Sequence, residues 1–125
     1  MNKNKITLKD LLQRKEAIRS KRTNETKSLY IRSLDGVITI QKPDRTLCLD
    51  AIGMDQEGDA YMVYNCVTEP NLKDPDLQQE YGCVTPMEIV EKLFEPGEIA
   101  NIAKESVELA GYGDSVTAVD EIKNL

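Results

Sequence analysis

Histidine and tryptophan are absent from this 125-residue chain, phenylalanine occurs once, and no apolar run approaches the length of a membrane span. Without histidine there is no Ser-His or Cys-His nucleophilic pair, and the commonest general base is missing. The lack of an apolar run of roughly 20 residues excludes a transmembrane helix. With one Phe and no Trp, the core has to be aliphatic, and an apolar content of 40% suffices for one compact domain. The basic start, Met1-Asn2-Lys3-Asn4-Lys5, leads into an amphipathic segment rather than an apolar stretch with a small-residue cleavage site, so the reading is a cytoplasmic protein.

Cys48, Cys66 and Cys83 are odd in number and widely spaced, which fits reduced, buried structural thiols better than a disulfide framework. A zinc site would need closely spaced cysteine pairs or histidine, so neither metal nor cofactor is expected. Asp55-Gln56-Glu57-Gly58-Asp59 fails as a calcium loop. Counted from Asp55, Ala60 stands where glycine is required and Cys66 where a bidentate glutamate is required. Gly111-Tyr112-Gly113 follows a helix instead of opening one, which marks helix termination rather than phosphate binding. The pairs Glu88/Glu91 and Glu105/Glu108 have the spacing of solvated acidic residues on helix surfaces. Asn24-Glu25-Thr26 matches a glycosylation acceptor that a cytosolic chain never presents to the enzyme. Enzymatic activity is not expected.

Charge is divided along the chain. Residues 1–28 hold nine Lys/Arg against three Asp/Glu, net +6, whereas residues 29–125 hold seven against nineteen, net −12. Such a basic head is either a handle for an acidic partner or a solvated helix face lying against the acidic remainder. No aromatic residue interleaves its cations for base stacking, which makes nucleic acid an unfavoured partner.

Thr7 and Asp10 have capping-box spacing before Leu8, Leu11, Leu12 and Ile18, predicting a basic amphipathic helix to about Arg22, part of an N-terminal segment over residues 1–27. Lys27–Ser33 and Val37–Lys42 read as strands around the hairpin signal Asp35-Gly36, with Leu29 and Ile31 on one face and Ile38 and Ile40 likewise. Pro43-Asp44 opens a helix carrying Leu47, Leu49, Ile52 and Met54, which ends or weakens at Gly53. A second helix is expected over residues 60–68 and is closed by Pro70. A short helix follows from Pro75 through Gln79 to Tyr81-Gly82.

Thr85-Pro86-Met87-Glu88 marks the clearest start, with Ile89, Val90, Leu93 and Phe94 facing inward. Pro96 starts a helix in which Ile99, Ile102, Ala103, Leu109 and Ala110 recur until Gly111, a stripe read as core. Beyond Gly113, Asp114 or Ser115 caps a segment with Val116, Val119, Ile122 and Leu125, either a docked helix or a tail that orders on a partner. The fold expected is mainly α with a small antiparallel β-hairpin (α+β), a compact single domain of short helices.

The ordered words Leu34-Asp35-Gly36-Val37-Ile38-Thr39-Ile40, Lys42-Pro43, Val67-Thr68-Glu69-Pro70-Asn71-Leu72-Lys73-Asp74, Tyr81-Gly82-Cys83, Leu93-Phe94-Glu95-Pro96-Gly97-Glu98-Ile99-Ala100 and Leu109-Ala110-Gly111-Tyr112-Gly113 resemble the XkdN-like family of phage tail assembly chaperones from Gram-positive bacteria and their prophages. The likeness spans about Ser28 to Gly113 and is weakest at both ends. It implies a protein of the host bacterial cytoplasm that acts in tail morphogenesis and is absent from the virion. The resemblance further implies that it holds the tape-measure protein soluble and helps tail tube subunits gather on it. Related chaperones are made in two forms by frameshifting, and a chain ending at Leu125 corresponds to the shorter. Val116, Val119, Ile122 and Leu125 are the expected partner contact, being the apolar stripe least needed by a core. Two alternatives stay open: a nucleic-acid-binding regulator using Lys15, Arg19 and Arg22, and a cytosolic adaptor or structural tail component.

Overall fold

The computed structural model describes residues 5–119, apart from the side chains of residues 23 and 24. Its elements run α1 (Leu8–Gln13), α2 (Lys15–Asn24), β1 (Thr26–Ile31), β2 (Gly36–Gln41), α3 (Arg45–Gly53), α4 (Gly58–Cys66), β3 (Val67–Glu69), α5 (Pro75–Glu80), α6 (Glu88–Leu93) and α7 (Pro96–Leu109). The strands form one antiparallel sheet in the order β1-β2-β3. The fold is therefore α+β as expected, but the sheet has a strand more than a lone hairpin.

Two differences concern that sheet. Asp35-Gly36 does not form a two-residue turn: Ile31 pairs with Gly36 across a 3-10 turn over Arg32–Leu34, and Asp35 takes the left-handed conformation at φ 47°. The Tyr30 hydroxyl donates to Asp35 Oδ1 at 2.7 Å, which gives this non-glycine residue a local partner in a conformation its type tolerates. The helix expected over residues 60–68 stops at Cys66, and Val67–Glu69 pairs with β2 through Ile40↔Val67 and Thr39↔Glu69 across a register shift. Ladder bonding to a distant strand outweighs one more helical turn just before Pro70, which could not continue the helix.

The inner faces assemble one core. Ile31, Ile38 and Ile40 of the sheet share it with Met62, Val63 and Cys66 of α4, and Ile89, Val90 and Phe94 and then Ile102 and Ala103 complete it. Burying each such aliphatic side chain is worth about 1.5–3 kcal/mol, and this supplies the support that a small sheet lacks in water. Ser106 is also fully buried, and its hydroxyl donates to the Ile102 carbonyl at 2.8 Å, so no donor is stranded. Small side chains at Ala103 and Ser106 suit close packing of α7 on α4.

Helix α3 does not bury all of the apolar residues it carries. Cys48 and Ala51 are buried and Leu47 is half-buried, while Leu49 and Ile52 are exposed. The reason lies at Gly58: a β-carbon there would stand 2.4 Å from the Ala51 carbonyl oxygen, so the start of α4 touches the α3 backbone directly. That approach selects the Cys48/Ala51 face, and α3 ends at Gly53 as anticipated.

Helix starts follow the caps. Asp44 accepts from the Leu47 amide at 2.8 Å and Asp74 from the Leu77 amide at 3.0 Å. Before α6 the capping exchange is one-sided: Glu88 accepts from both the amide and the hydroxyl of Thr85, at 2.7 and 2.9 Å, and the first turn is tight, with Ile89 bonding back to Pro86. At α7, Glu95 and Glu98 form a capping box that also reaches β1's end, because Glu98 accepts from the Ser33 amide at 3.0 Å and hydroxyl at 2.7 Å.

Candidate functional site

The C-terminal segment begins where α7 stops. Gly111 and Gly113 adopt φ 97° and 99°, a region open to glycine, and the Ser115 hydroxyl donates to the Gly111 carbonyl. Residues 114–118 continue as turn and irregular chain, and Val119 has 3-10 geometry at the end of the described residues. Val116 is 88% and Val119 65% exposed, so both are available for contact, whereas Ile122 and Leu125 lie outside the described residues. At the root of this segment a cleft of about 630 Å³ is bordered by Arg22, Lys42, Arg45 and Tyr112.

A second apolar surface lies at the other end of the chain. Thr7 and Asp10 form the expected capping box, at 3.1 and 2.9 Å, yet α1 buries nothing. The helix breaks at Arg14 into α1 and α2, and α2 runs to Asn24 rather than Arg22. Across residues 5–22 every side chain but Asp10 is exposed, with Leu8 at 75% and Leu12 at 68%. The basic head thus exposes an apolar side along with its charges, and its Arg22 end borders the body beside Lys42, Pro43 and Asp44. Lys15, Arg19 and Arg22 share one side of α2 by spacing, and Arg19 lies 3.8 Å from Glu16. Periodicity showed that the segment was amphipathic, but not that its apolar side would stay uncovered.

The root of this arm is pinned. One residue, Glu25, separates α2 from β1; its carbonyl accepts from the Lys42 amide at 2.9 Å, and its carboxylate lies 3.7 Å from Lys42 Nζ. Further along β1, Lys27 pairs with Glu105 on α7, and hydrogen bonding to that carboxylate holds the ammonium pKa above its usual value.

Inside the domain the titratable groups are set up for structure. Burial pushes the Cys66 thiol up to about 11, and its Sγ lies 3.4 Å from Met62 Sδ. Burial also raises Cys48, so both are protonated, inert thiols at neutral pH. Cys83 is half-buried, and all three cysteines are free. Asp10, Glu88 and Glu98 are held below the usual carboxylate range by hydrogen bonds at helix starts, from Thr7, Thr85 and Ser33 respectively. That is the direction opposite to a general acid's need. Among the described residues no cluster of three His/Cys/Asp/Glu could hold a metal ion, and no helix is long and apolar enough to cross a membrane.

What the geometry offers is contact surface, in two apolar segments flanking an aliphatic core. The model of the phage XkdN-like tail assembly chaperone protein family matches residues 48–123. The match begins inside α3 and runs into the C-terminal segment, so it leaves out the hairpin words from Leu34 to Pro43 and the whole basic arm. No curated protein and no solved structure matches the chain.

Proposed function

Because the chain belongs to the phage XkdN-like tail assembly chaperone family, whose members are non-enzymatic, we propose that it binds the tape-measure protein during tail assembly in the host bacterial cytoplasm and is absent from the finished virion. The family match carries this reading. A tape-measure chain is long and helical, and it exposes apolar seams that invite aggregation until tube subunits enclose it. A small protein with a net charge of −6 that covers those seams reversibly keeps the complex soluble while the tail tube protein gathers.

We place the contact on Val116, Val119, Ile122 and Leu125. Two observations support this: the first two are solvent-exposed next to the body, and most of the segment falls within the family match. Ordering such a segment on a partner costs entropy, which keeps the association reversible.

Co-expression with the large coiled-coil-rich protein encoded downstream tests the proposal. The partner should become soluble and co-purify, and Val119→Asp with Ile122→Asp should weaken that capture while leaving the melting temperature nearly unchanged. A partner left insoluble and unbound beside a well-folded chain, or capture unaffected by the two substitutions, would overturn the corresponding part of the reading. Purified virions should lack the chain.

A further inference from the structure

The arm of residues 5–22 lies outside the family match, and its apolar side faces solvent. Elsewhere on the molecule, α4 and the start of α6 enclose a groove of about 480 Å³ with opposite character. Ala60, Tyr64, Pro86 and Met87 give it apolar lining, and Glu57 and Glu91 border it as exposed carboxylates beside Glu88, which is bonded to Thr85. No lysine or arginine lines it, although Lys73 lies 5.2 Å from the centre of the Tyr64 ring and Lys92 acts on Glu88 from one turn further along α6. We propose that the α1–α2 arm of one copy of this chain docks in the α4–α6 groove of a second copy.

Charge and shape both favour this pairing. An amphipathic helix lays an apolar side into an apolar groove, and here Lys9, Arg14 and Lys15 flank Leu8, Leu11 and Leu12 in sequence just as glutamates flank the groove. Met87 gives the floor an adaptable side chain. The occupant comes from another copy because the arm enters β1 through a single residue pinned to Lys42, which leaves no linker for folding back, and no arm residue lines its own groove. Each copy carries both halves, so docking is reciprocal in a two-fold pair. A lipid surface also accepts a basic helix with leucines on its apolar side, but it would leave the carboxylate-bordered groove unoccupied, and vesicle binding separates the two.

Sedimentation of the full chain over a range of concentrations tests the proposal. The mass should rise above the monomer's with concentration and fall with added salt, because part of the attraction is between exposed charges. Leu8→Asp with Leu12→Asp, and separately Glu57→Lys with Glu91→Lys, should each raise the dissociation constant by about tenfold or more. All four side chains are exposed or at a rim, so circular dichroism melting should be unchanged. Mixing the two double variants restores one intact arm and one intact groove, and a heterodimer should form. A monomeric wild-type chain, an oligomer that survives either double variant, or a mixture that stays monomeric would overturn the proposal. So would arm-dependent retention on phosphatidylglycerol vesicles by a chain that stays monomeric in solution. None of these results depends on the tape-measure protein, so the chaperone reading is tested separately.

Discussion

Helix α7 and the α1–α2 arm are both amphipathic, with apolar residues at helical spacing and a capping box at the start, yet one is the centre of the core and the other lies in water. Ile102 on α7 is 2% exposed while Leu8 on α1 is 75% exposed. Their caps differ in the same way. The Thr7 and Asp10 side chains close their own helix start, whereas Glu98 closes its own and also grips Ser33 in the turn between β1 and β2. An apolar stripe therefore announces that a helix needs a cover, without saying whether that cover belongs to the same chain.

The largest effect should come from shaving the two stripes equally. Ile102→Ala removes fully buried atoms and should cost about 2–5 kcal/mol of unfolding free energy, against less than about 0.5 kcal/mol for Leu12→Ala. Urea denaturation of the two variants measures the contrast, and similar losses would mean that the arm packs on the body. Next comes Gly58→Ala, which sets a methyl group against the Ala51 carbonyl within the α3–α4 contact. It should destabilise by about 1–3 kcal/mol, and an unchanged denaturation midpoint would show that the close approach does not exist in solution.

The smallest effect concerns acid. Glu98 and Asp10 both have folded pKa values lowered by hydrogen bonds, so each contributes stability that is present above the ordinary carboxylate pKa. That contribution is lost as pH falls through the folded value. Glu98→Gln should flatten the acid limb of global stability from pH 4.5 downward, whereas Asp10→Asn should change only arm helicity. Denaturation and circular dichroism across that range distinguish the two, and a global effect of Asp10→Asn would contradict the independence of the arm.

Helices α5 and α7 were legible because proline, capping residues and terminal glycine agreed with periodicity, as at Asp74-Pro75, Glu95-Pro96 and Gly111, whereas α6 starts at Glu88, two residues after the expected Pro86. Helix α3 was legible in extent but not in orientation. It has nine residues that are apolar on several sides, so periodicity singled out no inward face, while contact with Gly58 buried Cys48 and Ala51. The three-residue β3 left no local trace, because its identity is a pairing with β2. Of the candidate contact residues, Val116 and Val119 were legible as an apolar pair outside the core, but the arm and its matching groove were not. The groove joins Ala60 and Tyr64 of α4 to Pro86 and Met87, some twenty residues later in the chain.

Local chemistry thus determined where most helices begin, that the interior is aliphatic and that charge divides into a basic head and an acidic body. These follow from backbone donors, side-chain volume and ionisation, which each residue carries with it. Tertiary structure decided which stripe is covered, which side of α3 turns inward, where the third strand pairs and which carboxylates rim an apolar groove. Those outcomes depend on surfaces brought together from distant positions, and a periodic pattern encodes the need for a neighbour but not the neighbour's identity.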